Sequence, residues 1–316
     1  MSIYNSILVV ADINRDEQPA LARAMHLAAK SKSKSRITLF MSIYDFSYDM
    51  TSMLSSDERE AMRGGVIYQR KLWLEKISQS YLLDGIDFDI KVVWHHRPYE
   101  AIISEVFSGE YDILIKATRK HDTLESAIFT PTDWHLLRKC PCPVLLVKNA
   151  EWPQHSKILA SVHVGSEEET HHALNNKIVD QLLEICRRFD SSPYLVSASP
   201  YTPANIAVEV PEFDALSYSE AIRSHYLTQM KMLRQNFGID DENTTVEEGL
   251  PEEVIPRVAN DLHASMVIIG TTGRTGLSAV FIGNTAESVI DKLTCDVLAL
   301  KPNGYISPLD PNNKSS

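Results

Sequence analysis

Four glycines close to one another mark the stretch of this chain that is best suited to bind a ligand. Met266–Asn284 reads MVIIGTTGRTGLSAVFIGN, and its glycines at 270, 273, 276 and 283 are four of only twelve in the chain. An apolar run precedes them and an apolar-periodic segment begins near Thr285, which predicts a strand entering a loop and a helix leaving it. Glycine permits positive φ and a close approach of ligand to backbone. Loop amides and the positive end of the following helix favour a bound anion such as a phosphate.

Polar side chains within the same stretch extend the predicted anion site. The candidate phosphate-binding residues are Gly270, Thr271, Thr272, Gly273, Arg274, Gly276, Gly283, Asn284 and Thr285. Arg274 can pair with a phosphate or remain a solvated surface arginine. The threonines and Asn284 can donate to a ligand or only cap the helix. The glycines can also serve a loop that packs tightly beneath a helix and binds nothing.

No other group of residues in the sequence predicts catalysis or a metal centre. A Ser-His-Asp or Cys-His constellation is not recognisable, so no catalytic residue is assigned. Cys140 and Cys142 have no second pair at metal spacing, and a structural pair is expected. The histidine pairs at 95–96 and 171–172 are expected to point apart, as neighbours in a strand or helix do, and no metal ligand is assigned.

Composition and charge narrow the class of protein. The net charge of −11 and a pI of about 5.5 disfavour a general affinity for nucleic acid. The start, Met1–Asn5, is not a basic-then-apolar leader, and no apolar run approaches the about 18 residues that a membrane span needs. Four cysteines in 316 residues are typical of a reducing compartment. We therefore expect a soluble cytoplasmic protein with no nucleic-acid partner and no membrane span.

The elements that must position the glycine loop occur twice along the chain. Each half alternates strands and helices as β-α-β-α-β-α-β-α-β, starting with Ser6–Val10 and again with Lys157–Val162. Pro98 and Pro251 open the third helix of their halves and lie 153 residues apart. This alternation predicts two α/β domains, each with a five-stranded parallel sheet that helices cover on both faces.

The repeat also sets the predicted domain boundaries. The first domain covers residues 1–148, a linker follows at 149–156, the second domain covers 157–302, and 303–316 is expected to be a flexible tail. In open parallel sheets, ligands bind beyond the carboxyl ends of the strands, where the strand order reverses. The glycine loop follows the fourth strand of the second half. Its chemistry and the expected fold therefore indicate the same place.

The glycine spacing resembles a known signature. Gly270-x-x-Gly273, nine further residues and then Gly283 resemble the nucleotide-binding motif of the universal stress protein superfamily, and the chain apart from its tail resembles the tandem-domain form. The resemblance implies doubly wound domains of the adenine nucleotide alpha hydrolase-like type, paired by a pseudo-twofold axis as an intramolecular pseudo-dimer, with a further homodimer possible. It implies a cytoplasmic role in resistance to stress and DNA damage. It also implies that the loop holds the phosphates of ATP or another nucleotide, and that an aspartate after the first strand helps to place the nucleoside.

Departures from the family pattern divide this site between the two halves. Asn284 follows Gly283, where the family has serine or threonine. The aspartate position of the second half is His163, so Val162 and His163 are the candidate nucleoside-side contacts. His163 can instead be a satisfied, partly buried histidine. The first half keeps Asp12, as a vestigial ligand contact or a turn residue, but its own loop lacks all three signature glycines.

Two long segments, 45–54 and 200–216, are unusually apolar for loops. They can pack between the halves or wall an apolar pocket beside the phosphate loop. The sequence as a whole predicts a stress-response protein that binds a small phosphorylated, nucleotide-containing ligand with little or no catalysis. The alternatives are a slow ATPase, a ligand-free interaction scaffold, and a binder of an anionic ligand with an apolar tail.

Overall fold

The chain forms two compact units of similar construction. The computed structural model describes residues 4–30, 34–48, 54–81, 85–120, 127–148, 152–202, 214–271 and 283–312. The first unit comprises Met1–Glu151 together with Ile306–Ser316, and the second comprises Trp152–Tyr305. Each unit contains a five-stranded parallel sheet, which confirms the predicted α/β fold class.

The first unit is built around the sheet order β7-β4-β1-β2-β3 once its elements are numbered along the chain. Its strands are β1 (Ser6–Val10), β2 (Ser35–Ile43), β3 (Ile86–Trp94), β4 (Ile113–Ala117) and β7 (Val144–Val147), and a separate antiparallel pair is formed by β5 (Arg119–Lys120) and β6 (Ala127–Ile128). Its helices are α1 (Pro19–Ala29), α2 (Ser56–Ser78), α3 (Pro98–Gly109) and α4 (Pro131–Lys139). The strand order reverses between β1 and β4.

The second unit has the corresponding sheet order, β10-β9-β8-β11-β12. Its strands are β8 (Lys157–Ser161), β9 (Ser192–Ser199), β10 (Thr244–Glu248), β11 (Met266–Gly270) and β12 (Asp296–Leu300). Its described helices are α5 (Glu169–Phe189), α6 (Ala215–Phe237), α7 (Pro251–Asp261) and α8 (Asn284–Lys292). Here the strand order reverses between β8 and β11, so the glycine loop leaves the sheet at that point.

Local sequence signals explain where several elements begin. The central strands of both units are continuous apolar runs and are almost wholly buried, as expected for parallel strands covered on both faces. Pro98 and Pro251 occupy the first turn of their helices, as predicted. Ser55 and Glu58 form the predicted capping box at the start of α2, with Ser55 Oγ accepting from Glu58 N–H (3.3 Å) and Glu58 Oε2 accepting from Ser55 N–H (2.8 Å).

The two units match in sequence register around the loop. β4 and β11 begin 153 residues apart, and so do α4 and α8. Thr118 and Thr271 are the first residues after these strands, and each backbone N–H donates to the residue that ends the neighbouring strand, Val147 and Leu300 respectively (both 2.9 Å). Positions 153 apart can therefore be compared directly.

The segment after the second unit returns to the first. Ser307 is buried and its hydroxyl donates to the carbonyl oxygen of Lys139 (2.6 Å), while Leu309 N–H donates to Ser307 Oγ (3.1 Å). Lys139 ends α4, where helix carbonyls lack an intrahelical partner, so Ser307 satisfies a helix terminus. Ser307 thus ties this segment to the end of α4 in the first unit, and the flexible tail expected from 303 onwards stays a prediction.

Candidate functional site

The first turn of α8 forms the far end of the predicted phosphate loop. Gly283 is the N-cap, with φ −57° and ψ 139°, and it supplies no side-chain cap. Asn284 and Thr285 are exposed at the first two helical positions. Their amides precede the first turn's hydrogen bond from Ala286 N–H to the Gly283 carbonyl oxygen (2.9 Å). Such a helix end favours a bound anion, because N–H groups and the positive end of the helix dipole point out of it.

The corresponding end of α4 in the first unit is closed by its own side chains. Thr130 replaces the N-cap glycine, and its Oγ1 accepts from Asp133 N–H (3.3 Å). Asp133 Oδ2 accepts from both the N–H and the hydroxyl of Thr130 (2.7 Å each). Pro131 at the first helical position has no N–H to offer. The Asp133 carboxylate therefore occupies this helix end in the first unit, whereas Gly283 provides no side-chain cap at the corresponding end of α8.

Gly270 is explained by packing rather than by backbone conformation. Neither Gly270 nor Gly283 has a positive φ, so the conformational freedom that glycine permits is not used at these two positions. A Cβ at position 270 would lie 2.5 Å from Leu174 Cδ2 and 3.2 Å from Ile178 Cδ1. Both side chains belong to α5, and glycine therefore lets this helix approach the end of β11. The packing interpretation left open by the sequence accounts for Gly270.

The remaining loop candidates divide into one structural residue and several that lie outside the described part of the chain. Thr271 is buried, and its hydroxyl donates to the Leu300 carbonyl oxygen (3.1 Å), which ties the ends of β11 and β12 together. Its side chain is thus engaged within the sheet. Four candidates lie outside the described residues and stay predictions, namely Thr272, Gly273, Arg274 and Gly276.

The predicted nucleoside-side residues lie at the carboxyl end of β8. Val162 is buried, and its N–H donates to the Val196 carbonyl oxygen (3.0 Å). His163 is exposed. Its N–H donates to Asn175 Oδ1 (3.0 Å) and its carbonyl oxygen accepts from Asn175 Nδ2 (2.9 Å). The buried asparagine therefore fixes the backbone of His163 and leaves its imidazole at the surface.

A second histidine, His171, approaches His163. Their ring centroids are 5.3 Å apart, and His171 Nδ1 lies 2.5 Å from Ser166 Oγ. Partial removal of the ring from water, and then the neighbouring His171, lower the pKa of His163. The imidazole of His163 is therefore neutral at pH 7 and able to donate or accept a hydrogen bond.

Lys177 brings a cation to this edge of the sheet, although nothing local in the sequence singles it out. Its Nζ donates to the carbonyl oxygen of Lys301 (2.9 Å), directly after β12, and burial lowers its pKa. Because Thr271 bonds to the preceding residue, Leu300, Lys177 lies on the same side as the start of the glycine loop. The available signal is its position three residues after Leu174, which places both on one face of α5.

Asp12 of the first unit has the features of a turn residue. Its Oδ1 accepts from Asn14 N–H (3.0 Å), and its Oδ2 lies 2.9 Å from Arg15 Nε. Asp12 N–H in turn donates to Gln18 Oε1 (2.8 Å). The carboxylate thus organises the loop after β1, in agreement with the turn interpretation left open by the sequence.

The histidine and cysteine pairs also acquire definite positions. His95 and His96 stack with their centroids 5.0 Å apart, so the expectation that they point apart is wrong, because both follow the last residue of β3. Cys140 Sγ and Cys142 Sγ are 3.5 Å apart and buried, and their mutual hydrogen bond and burial raise the pKa of Cys142. Among the described residues, no three or more His, Cys, Asp or Glu side chains are grouped to hold a metal ion.

Comparison with known proteins decides the family. The sequence profile of the universal stress protein family matches residues 3–148 and 170–301. This chain belongs to the universal stress protein family. The two matches fall in the two units, so this universal stress protein has the tandem arrangement. Within the residues that the structure describes, no helix is long and apolar enough to cross a membrane.

Individual relatives extend the similarity over nearly the whole chain. Universal stress protein E of Escherichia coli (strain K12) is 53% identical over 311 residues, which cover 98% of this chain and 98% of that protein. The universal stress protein E homolog of Haemophilus influenzae is 42% identical over 303 residues, covering 95% and 98%. A crystal structure assigned to the universal stress proteins, from Pseudomonas aeruginosa UCBPP-PA14, has a TM-score of 0.73 at 32% identity and covers 95% of this chain and 94% of that one.

Proposed function

We propose that the second unit binds a phosphorylated, nucleotide-containing ligand at residues 270–285, and that this binding serves a cytoplasmic role in resistance to stress and DNA damage. The observation that carries the proposal is the N-terminus of α8. Gly283 gives it no side-chain cap, whereas Thr130 and Asp133 close the same position of α4 in the first unit. An exposed, uncapped helix start after a glycine-rich loop is suited to phosphate oxygens.

Two further features support a ligand larger than phosphate alone. Lys177 adds a positive charge at the carboxyl end of β12, and its lowered pKa reflects an environment in which its charge is poorly solvated. An anion nearby would stabilise that charge. At the carboxyl end of β8, the neutral imidazole of His163 suits the hydroxyl groups or ring nitrogens of a nucleoside better than a second phosphate.

Isothermal titration of the full chain with ATP tests the proposal. The double substitution Gly283→Thr/Asn284→Pro gives α8 the first two residues of the closed α4 end, adding a hydroxyl cap and removing one amide. We expect ATP affinity to fall at least tenfold, because the anion then competes with the new cap and loses one donor. Asn284→Ser is the matched control, since it keeps the amide and a polar side chain, and it should bind within about threefold of the native protein.

Two results would contradict the proposal. One is ATP binding that remains unchanged in Gly283→Thr/Asn284→Pro. The other is a native protein that binds neither ATP nor another nucleoside triphosphate at millimolar concentration, as a ligand-free scaffold would. Phosphate release from the same samples separates binding from slow hydrolysis, because turnover abolished by the double substitution would indicate an ATPase at this loop.

A further inference from the structure

The helix α2 of the first unit attaches to its sheet along one side. Of its 23 residues, Leu74 and Ser78 are buried. The guanidinium carbon of Arg63 lies 5.7 Å from the centre of the Trp94 ring, at the end of β3. Arg63 and Leu74 are eleven residues apart in the sequence, which places them on one face of an α-helix. These contacts define the face of α2 that is turned towards β3, and the opposite face points away from the sheet.

The opposite face carries a stripe of apolar and small residues. Ala61, Gly65, Tyr68 and Leu72 follow one another at spacings of four, three and four residues, and all of them are exposed. The exposed fractions of Tyr68 and Leu72 are 59% and 41%. Residues at this spacing form the seam along which one helix packs against another. The stripe therefore has the pattern of a helix–helix contact, although it is exposed in this chain.

Two adjacent glycines near the middle of α2 are not explained by the chain itself. Gly64 and Gly65 lie inside the helix without a positive φ, and a Cβ on either would meet no atom of the described residues within 4 Å. A glycine inside a helix costs about 1 kcal/mol relative to alanine. The helix α6 of the second unit has the same length of 23 residues and contains no glycine, so the fold does not require them. Glycine does permit the backbone of another helix to approach closely.

The charges on the exposed surface of α2 identify the partner. Asp57 and Glu58 stand at the start of the helix, whereas Lys71 and Lys76 stand in its second half, with Glu75 between them. All five side chains are exposed. A copy of the same helix that runs antiparallel brings its acidic start to the more basic half of the other, at both ends of the contact. Because a twofold dimer uses the same surface twice, it requires a self-complementary surface of this kind.

We propose that the exposed face of α2 binds the same face of a second copy of this chain, with the two helices antiparallel and their backbones closest at Gly64 and Gly65. Ala61 and Gly65 of one copy then pack against Leu72 and Tyr68 of the other. A single helix face is a small interface, so the association should be weak and should depend on protein concentration. The surface belongs to the first unit, and the proposal does not rest on the nucleotide loop of the second.

Sedimentation equilibrium of the full chain, from micromolar to millimolar concentration, tests this proposal. The native chain should form dimers over this range. Gly65→Gln places a long side chain where the backbones meet, and it should raise the dimer dissociation constant at least tenfold. Because glutamine favours the helix more than glycine does, the melting temperature at low concentration should not fall. Ala221→Gln is the matched control, since it adds the same side chain at an exposed position of α6, and it should change the dissociation constant less than twofold.

Chemical cross-linking tests the orientation of the two helices. The four native cysteines are buried, so a short bismaleimide should react mainly with an introduced cysteine. An antiparallel pair brings position 61 of one copy to position 72 of the other, so a mixture of Ala61→Cys and Leu72→Cys chains should cross-link faster than either chain alone. The proposal is overturned if the native chain stays monomeric at millimolar concentration, which would leave this face to a different protein. It is also overturned if Gly65→Gln dimerises as the native chain does, or if the mixture cross-links no faster than the separate chains.

Discussion

Lys116 and Asp133 form a buried ion pair in the first unit where the second unit has two apolar residues. Lys116 Nζ lies 2.7 Å from Asp133 Oδ1, and the two side chains are 14% and 0% exposed. The positions 153 residues later are Ile269 and Ala286, both buried. The second unit therefore has two apolar side chains at the positions that this ion pair occupies in the first unit. Exchanging the pair for that alternative measures what the charges contribute.

Removing one partner should be far more destabilising than removing both. Asp133→Ala leaves the ammonium group of Lys116 buried without its carboxylate, which costs about 3–5 kcal/mol. It also removes the carboxylate from the cap of α4, worth about 1 kcal/mol. In Lys116→Ile/Asp133→Ala the uncompensated charge is absent, so we expect a loss of only about 1–2 kcal/mol, from the cap and from imperfect packing. The double variant should thus be more stable than Asp133→Ala by about 2–5 kcal/mol.

Hydrogen exchange read by mass spectrometry is the suitable assay, because a chain of two units need not unfold in a single transition. Peptides from β4 and α4 report the first unit, and peptides from β11 and α8 serve as the internal control. Two outcomes would refute the reasoning: a cost below about 1 kcal/mol for Asp133→Ala, or a double variant no more stable than that single one.

Two further predictions concern packing and pH. Gly270→Ala places a Cβ 2.5 Å from Leu174 Cδ2, so the free energy of unfolding of the second unit should fall by about 1–3 kcal/mol. Adding Leu174→Ala to that variant should recover part of the lost stability. An unchanged melting temperature in Gly270→Ala would contradict the packing explanation. Burial is the largest cause that lowers the pKa values of His26, His135 and His163 from 6.5. The unfolded chain therefore binds protons first as the pH falls through 6.5, and the melting temperature should decrease from pH 7 to pH 5, where a flat profile would argue against lowered histidine pKa values in the folded protein.

Much of the fold could be predicted from the sequence because its signals are local. Three signals each act within a few residues, namely apolar runs, a proline at the first turn of a helix and the Ser55–Glu58 capping box. Their effect therefore does not depend on contacts with distant parts of the chain. The repeat in the sequence then set the number and order of strands in each half. The start of α8 within one residue of Thr285 follows from the same kind of signal.

The parts that could not be predicted depend on contacts between distant residues. Gly270 looked like a ligand contact, but Leu174, which lies in another element, determines why it must be glycine. Lys177 donates a hydrogen bond to the carbonyl oxygen of Lys301, 124 residues away in the sequence, and no local sequence pattern predicts that bond. In the sequence, Thr130 could be recognised only as the residue that replaces a signature glycine. Its role as a helix cap depends on the position of Asp133, which the structure shows. Sequence periodicity predicts where helices and strands lie along the chain, whereas the side chains that contact one another are determined by tertiary packing.

The two units offer different solutions to one physical problem. The start of a helix after the fourth strand presents unsatisfied N–H groups and a positive dipole end, which require negative or polar partners. In the first unit Asp133 is that partner, and Lys116 balances its charge, so the helix start is complete without a ligand. In the second unit, neutral Ala286 and Ile269 occupy these positions, and the partner must come from outside the helix. Under the proposed function, occupancy then stabilises the second unit by mass action and leaves α4 of the first unit insensitive to that ligand.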